Sequence, residues 1–126
     1  MTTLYDTLYT YLNTNWAITG VTKPVFRNQK KHNIFTETAD GQVGICVEET
    51  QMNGILIDHS IKNNKTIFSL YIHCRTEVDR DKFVQECKDL LNITGNTYIW
   101  QVMSITNLDH DNWSDAIVQC EEWSEI

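Results

Sequence analysis

The sequence predicts an α+β domain over residues 1–126, in which a mostly antiparallel sheet carries two amphipathic helices on one face. Helical and strand-like patterns follow one another in the order α-β-β-β-β-α-β-β, and short polar turns join neighbouring strand patterns. The length of 126 residues suits one domain, and one proline with five glycines leaves no room for a low-complexity linker. We therefore expect a single domain.

The chain begins with a predicted helix and a short strand. Thr2 or Thr3 can cap the helix, and Gly20 closes the turn after it. Residues 24–27 can form a strand, because a proline is tolerated at the first residue of a strand. The polar residues 29–41 are predicted to form a loop. The helix is predicted from apolar residues at three- and four-residue steps, namely Leu4, Leu8, Tyr11, Leu12 and Trp16.

Three strands are predicted in the middle of the chain. Apolar residues alternate with others over residues 42–49, and residues 55–59 are a second short strand. Residues 62–65 are predicted to be a hairpin turn, since asparagine tolerates left-handed backbone angles. The returning strand, residues 66–75, has the clearest alternation. Its core face is predicted to be Phe68, Leu70, Ile72 and Cys74, and its other face Ser69, Tyr71, His73 and Arg75.

A second helix and two strands complete the predicted order. Thr76 can cap the helix, and the acidic residues after it suit the positive end of the helix dipole. Residues 92–96 end the helix. The closing strands span residues 98–106 and 113–123, and the polar residues 107–112 join them. The apolar face of the helix is predicted to be Phe83, Val84, Cys87, Leu90 and Leu91, and one face of the last strand Ala116, Val118 and Cys120.

The charge distribution argues against a nucleic-acid-binding protein and is compatible with self-association. Net charge is −7, whereas nucleic-acid binders need a cationic surface. Residues 1–75 hold seven Lys/Arg and six Asp/Glu, but residues 76–126 hold three and eleven. Opposite charges on one small chain suit head-to-tail contacts between copies, although a solvated loop and an acidic surface that keeps the protein in solution remain the alternative. The basic residues in the acid-free segment 17–36 are Lys23, Arg27, Lys30 and Lys31.

Neither export nor membrane insertion is predicted. The longest apolar runs, such as residues 55–57, are far shorter than the roughly 20 residues of a membrane helix. The first residues lack the basic and apolar stretches of a signal peptide. We therefore expect folding in a reducing cytoplasm, with the cysteines as buried free thiols because they form no C-x-x-C pair. They are Cys46, Cys74, Cys87 and Cys120.

No catalytic residue, metal site or cofactor is predicted. His73 and Cys74 are neighbours in a strand and therefore point to opposite faces, although His59 could lie near His73 across the hairpin. For each cysteine, core packing is favoured over catalysis. The acidic residues Asp109, Asp111 and Asp115 lack the glycine and final glutamate of an EF-hand loop, which favours a polar hairpin tip.

Large aromatic residues provide a second candidate interface. Four tryptophans and five tyrosines are many for a chain of this size. Aromatic side chains on an uncovered sheet face often mark a docking surface. The candidates for that face are Tyr71, Trp100 and Trp123.

The order of elements resembles the tail-terminator and tail-completion proteins of long-tailed viruses of bacteria or archaea. The stretch that carries most of the resemblance is residues 66–91, TIFSLYIHCRTEVDRDKFVQECKDLL, where a strand runs into a threonine-capped helix with an acidic start and a leucine-rich end. The acidic tip between the closing strands and the final AIVQCEEW also fit. The resemblance covers nearly the whole chain, but it lies in pattern and contains no invariant motif.

The resemblance implies a homo-oligomer, usually a hexameric ring, in the tail or neck of the virion after assembly in the host cytoplasm. Such a ring caps the finished tail tube and faces the head connector, so its partners would be the tail tube protein, the connector protein and, transiently, passing DNA. No catalysis, cofactor or membrane contact is implied. A related neck or head-closure protein, a cellular protein-interaction module, and a small enzyme or ligand-binding domain are the other hypotheses.

Overall fold

The computed structural model describes residues 3–18, 23–57, 61–94 and 98–125, and it contains two helices and a six-stranded sheet. In that part of the chain, no helix is long and apolar enough to cross a membrane. The α+β class and the predicted order are confirmed. The elements are α1 (Leu4–Asn15), β1 (Val25–Asn28), a 3₁₀ turn (Ile34–Thr36), β2 (Gln42–Ile57), β3 (Ile61–Cys74), α2 (Glu77–Leu90), β4 (Ile93–Thr94), β5 (Tyr98–His110) and β6 (Trp113–Glu125).

The strands lie in the order β1-β2-β3-β6-β5-β4. Two hairpins, β2–β3 and β5–β6, join side by side through an antiparallel pairing of β3 with β6. β1 is parallel to β2 and covers only its first residues, from Gln42 to Ile45. β4 is antiparallel to β5 and covers only Ile99 and Trp100. Both outer strands are therefore much shorter than the strands next to them.

Both helices pack on one face of the sheet, which we call the helix face. Thr3 caps α1 in a capping box with Asp6, and Thr76 caps α2 by accepting a hydrogen bond from the Asp79 amide at 3.2 Å. The predicted strand faces are confirmed. The side chains that are completely buried on the helix face are Leu8, Leu12, Val43, Ile45, Phe68, Leu70, Ile72, Cys74, Phe83, Cys87, Leu91, Ala116, Val118 and Cys120.

Part of the opposite face, which we call the far face, is covered by the loop between β1 and β2. Ile34 in the 3₁₀ turn is completely buried, and the Phe35 ring lies 5.5 Å from the Tyr71 ring. Gln29 holds this loop, because its Oε1 accepts a hydrogen bond from the Ile34 amide at 3.1 Å. A Cβ atom at Gly44 would lie 2.5 Å from that same oxygen. A side chain at position 44 would therefore force Gln29 to shift and weaken its hold on the loop.

The middle of the chain differs from the predicted boundaries. The strands predicted at 42–49 and 55–59 are one strand, β2, with pairing irregularities between Val47 and Thr50 and between Asn53 and Ile57. Residues 62–65 belong to β3, where Asn63 pairs with Asn53 on one side and Glu125 on the other. Pairing on both sides outweighs the turn preference of asparagine. Residues 58–60, including His59, lie outside the described residues, as do Thr2 and Gly20.

The connection between the last two strands is also shorter than predicted. Residues 107–110 continue β5, and the turn consists of Asp111 and Asn112 alone. Asp111 adopts φ +42°, a left-handed conformation that aspartate tolerates better than most residues. A residue with this backbone angle makes a two-residue hairpin connection possible.

Candidate interaction surfaces

The basic segment lies along the β1 side of the sheet but does not form one patch. Lys23 lies two residues before β1, and its ammonium donates to the Asn13 carbonyl oxygen at 2.5 Å. Arg27 is exposed on β1 and belongs to the far face. Lys30 and Lys31 are exposed in the turn after β1. We call Lys23, Arg27, Lys30 and Lys31 the basic edge.

A depression of about 570 Å³ lies beside this turn, where the start of α1 approaches the end of β1. Lys30 and Lys31 contribute the cationic part of its wall, and Leu4, Tyr5 and Val47 contribute apolar surface. The basic edge is therefore a side of the subunit with a concave, partly apolar surface.

Acidic residues gather at the other side of the sheet, where α2 begins and β5 turns into β6. Three of them surround Arg80, whose side chain is buried. Its guanidinium bonds Asp81 at 3.0 Å and Glu77 at 3.4 Å, and it also donates to Asp109. Burial lowers the pKa of Arg80, but these carboxylates outweigh it and raise the pKa. We call Glu77, Asp79, Asp81, Asp109 and Asp111 the acidic end.

Negative charge prevails at the acidic end, because three carboxylates share one guanidinium. The side chains of Glu77 and Asp109 remain 72% and 58% exposed, so a partner can reach them. They also line a polar depression of about 580 Å³, together with Asp111 of the turn. The subunit thus presents opposite charges on two different sides.

Trp100 lies on the helix face, whereas the sequence predicted the far face. The residue is only 2% exposed and packs on the helix face, with its ring 5.1 Å from that of Tyr11 and 6.2 Å from that of Phe68. Its indole nitrogen donates to Glu122 at 2.6 Å. The pairing of Trp100 with Glu122 places both side chains on the face of Ala116 and Val118, so Trp100 belongs to the core.

Tyr71 and Trp123 do lie on the far face, both half-buried. Trp123 donates to Glu121 at 3.0 Å, and the Lys65 ammonium lies 5.5 Å from its ring centre. Burial raises the pKa of Glu121, but bonds from Trp123 and Lys65 lower it below its ordinary value. Because Trp123 pairs with Lys65, six residues before Tyr71, the two aromatics are roughly 20 Å apart along the strand. They do not form one aromatic patch.

A buried polar network, which sequence reasoning missed, joins the far-face loop to three strands. His73 Nδ1 lies 2.7 Å from Asp115 Oδ1, and His73 Nε2 donates to the Glu37 carbonyl oxygen at 2.8 Å. The second carboxylate oxygen of Asp115 bonds His110 at 2.6 Å. The Trp113 ring stacks on His73 with centroids 3.7 Å apart. His73 and the Asp115 side chain are almost inaccessible to solvent, so the network serves to hold the structure.

The remaining candidates for chemistry are separated or protected. Asp115 is buried on the far face, whereas Asp109 bonds Arg80 of α2, so the acidic residues of the hairpin tip do not converge. Within the described ranges, no group of three or more His, Cys, Asp or Glu side chains is placed to hold a metal ion.

The cysteines are buried free thiols, as predicted. Burial raises the pKa of Cys74 and of Cys120 to about 12, with acidic neighbours contributing at Cys74. Burial also raises the pKa of Cys87 well above its ordinary value and, with Glu48, that of Cys46. All four groups therefore stay protonated at neutral pH, and a protonated thiol is a poor nucleophile.

Comparison with known proteins assigns no family. No protein-family model matches the chain, and no curated protein matches its sequence. Function is therefore inferred from the surfaces described above and from the resemblance in element order.

Proposed function

We propose that this chain is a structural virion protein, a tail terminator or a neck protein, that forms a ring on the tail tube and joins it to the head connector. One observation carries the proposal: the basic edge and the acidic end lie on different sides of the same subunit. The resemblance to tail-terminator and tail-completion proteins supplies the biological setting. No catalytic step is part of the proposed function.

The distance between the two charged surfaces determines how they can meet. The basic edge lies along β1, and the acidic end includes the last residues of β5, with three strands in between. At a spacing of about 4.8 Å per strand, β1 and β5 are about 19 Å apart. The charges therefore cannot pair within one subunit, but they can pair between copies. A head-to-tail contact of this kind closes into a ring when its rotation fits a whole number of subunits.

The net charge of the chain also suits the passage of DNA. The chain carries a net charge of −7, and a negative lumen repels the phosphate backbone, so DNA slides through without adhering. Tube protein and connector would bind the two flat surfaces of the ring. A hexamer is the ring size that the resemblance implies.

The proposal is tested by the mass of the purified protein, measured by size-exclusion chromatography with light scattering at several salt concentrations. We expect a closed ring of about six copies, visible by negative stain, that weakens as salt shortens the screening length from about 10 Å at 0.1 M to about 3 Å at 1 M. Added tail tube protein should then bind the ring and stop growing.

Charge reversal provides the matched control. The double variant Lys30→Glu/Lys31→Glu should shift the ring toward monomer, because it removes the positive charge of the basic edge. The variant Lys82→Glu/Lys88→Glu makes the same charge change on exposed residues of α2 and should leave the ring intact. A monomer or dimer that stays so at every salt concentration, even with tube protein present, would favour a cellular protein-interaction module instead.

A further inference from the structure

We propose that copies of this chain join through the edges of their sheets, with β5 of one copy pairing antiparallel to β1 of the next. The inference rests on the proposed function in that it identifies the contact from which the ring would be built. The proposed contact joins one strand to another, whereas the charges indicate only which sides of two subunits attract each other.

The first observation is the open edge of β5. β4 covers only Ile99 and Trp100, and the Asn92 side chain accepts a hydrogen bond from the Val102 amide at 2.9 Å. Beyond Val102, no strand of the described chain pairs with this side of β5. Its sequence there, MSITNLDH, contains neither lysine nor proline, two residues that commonly protect strand edges. The protective features of this edge in the described structure are an irregularity at Met103 and the charge of Asp109 near the turn.

The second observation is where apolar surface is exposed. Met103 is 52% exposed and Val25 on β1 is 47% exposed, which is unusual for large apolar side chains at strand edges. Among the described residues, five of the seven exposed large apolar side chains lie on β5 or β1. The seven are Tyr9, Val25, Val78, Ile99, Met103, Ile105 and Leu108. Apolar surface is thus concentrated on the two strands that the proposed contact joins.

The third observation is that the two edges have complementary outlines. β1 covers the end of β2 that pairs with His73, whereas β5 is bare at the same end of the sheet, where Leu108 pairs with Asp115. At the other end β4 projects beyond β5, and among the described residues no strand pairs with the outer side of β2 after Ile45. Two copies in the same orientation therefore fit together. β1 of one copy lies beside the uncovered part of β5 of the next copy, and β4 of that next copy lies beside the uncovered part of β2 of the first.

Residues that pair across neighbouring strands form a row that crosses the sheet, and these rows define which residues of the two copies meet. Val25 lies in the row of Gln42, His73, Asp115 and Leu108. Without a stagger between copies, Val25 of one copy meets Leu108 of the next. Residues in one row share a face, so both side chains lie on the far face and bury each other.

The same alignment explains the charges. Lys23 precedes Val25 by two residues, and His110 follows Leu108 by two. In an antiparallel pair Lys23 therefore approaches the end of β5, which contains Asp109, and the turn, which contains Asp111. The occupant of the β5 edge is accordingly a second copy of this chain, since its own β1 supplies the complementary length, face and charge.

Cysteine cross-linking tests the contact directly. In antiparallel pairs, opposite Cα atoms are about 4.5–5.5 Å apart, which is within the range of a disulfide. The native thiols are buried and should contribute little background. The variant Val25→Cys/Leu108→Cys should give, on mild oxidation, a ladder of covalent oligomers beyond the dimer. The matched control Val25→Cys/Val78→Cys uses an exposed valine of α2 and should give no ladder.

The outcomes separate this inference from the proposed function. If light scattering shows a ring but Val25→Cys/Leu108→Cys forms no more ladder than the control, the edge pairing is wrong and the ring still stands. If Leu108→Cys alone forms covalent dimers efficiently, β5 pairs with itself, which also overturns the inference. If neither ring nor ladder forms, both proposals fail. Leu108→Lys should shift the ring to monomer, and Val78→Lys should not, with unfolding midpoints of both variants unchanged.

Discussion

Replacing Asp115 by alanine should remove most of the stability that the buried far-face network provides. The carboxylate of Asp115 bonds His73, which is completely buried, and His110, which is about half-exposed. Alanine leaves His73 Nδ1 without its partner in a place that water cannot reach. A hydrogen bond to a charged group contributes about 1.5–3 kcal/mol, and leaving a buried donor or acceptor without a partner costs about 1–3 kcal/mol. The contact with His110 adds at most about 1 kcal/mol because solvent screens it.

We therefore expect Asp115→Ala to lower the free energy of unfolding by about 3–4 kcal/mol, a large share of the roughly 5–15 kcal/mol of a typical domain. With a urea m-value of about 2 kcal/mol/M, the midpoint would fall by about 1.5–2 M. Equilibrium urea unfolding measures this by circular dichroism and by Trp fluorescence, since Trp113 stacks on His73. Agreement of the two probes would support a two-state reading.

Two further variants separate the contribution of the buried bond to His73 from that of the exposed bond to His110. Asp115→Asn should lower the free energy of unfolding much less than Asp115→Ala. An amide can donate to His73 Nδ1 and accept from His110, while His73 Nε2 keeps its bond to the Glu37 carbonyl. His110→Ala should cost about 1 kcal/mol or less. If Asp115→Ala costs no more than His110→Ala, the buried bond to His73 contributes little and the account of the network is wrong.

Three other predictions concern packing, capping and the thiols. Gly44→Ala should lower stability by about 1–3 kcal/mol because the new methyl group meets Gln29, and the same change should cost less in a Gln29→Ala background. Thr76→Ala should lower the unfolding free energy by about 1 kcal/mol by removing the cap of α2, whereas Thr76→Ser should not. Cys74 and Cys120, with pKa values raised to about 12, should react with a thiol reagent at pH 8 far more slowly in the native protein than in urea; equal rates would contradict their burial.

Local sequence patterns were sufficient for the strand faces and the helix starts. Phe68, Leu70 and Ile72 alternate with residues that all carry a polar group, and all three are completely buried. Thr3 and Thr76 cap the helices through contacts within three residues, so no distant information was needed.

Features that depend on pairing between distant strands were not predictable. Residues 98–106 contain large apolar side chains at both odd and even positions, so alternation could not assign Trp100 to a face. Its face follows from pairing with Glu122. The bond between His73 and Asp115 joins residues 42 positions apart, and only the register of β3 against β6 brings them together. The extended β2–β3 hairpin was likewise hidden, because its polar residues resemble a turn.

The place of β6 in the sheet has a consequence for folding during synthesis on the ribosome. Among the described strands β6 comes last in the sequence, yet it lies between β3 and β5. Until it emerges, β3 has a bare edge, β5 has no partner of its own length, and the apolar rows of both strands are available to other nascent chains. Before residues 113–125 leave the ribosome, β1, β2 and β3 can pair with one another, but β5 cannot be joined to them. Chaperone binding should therefore be strongest before residues 113–125 have emerged, and should end when they pair.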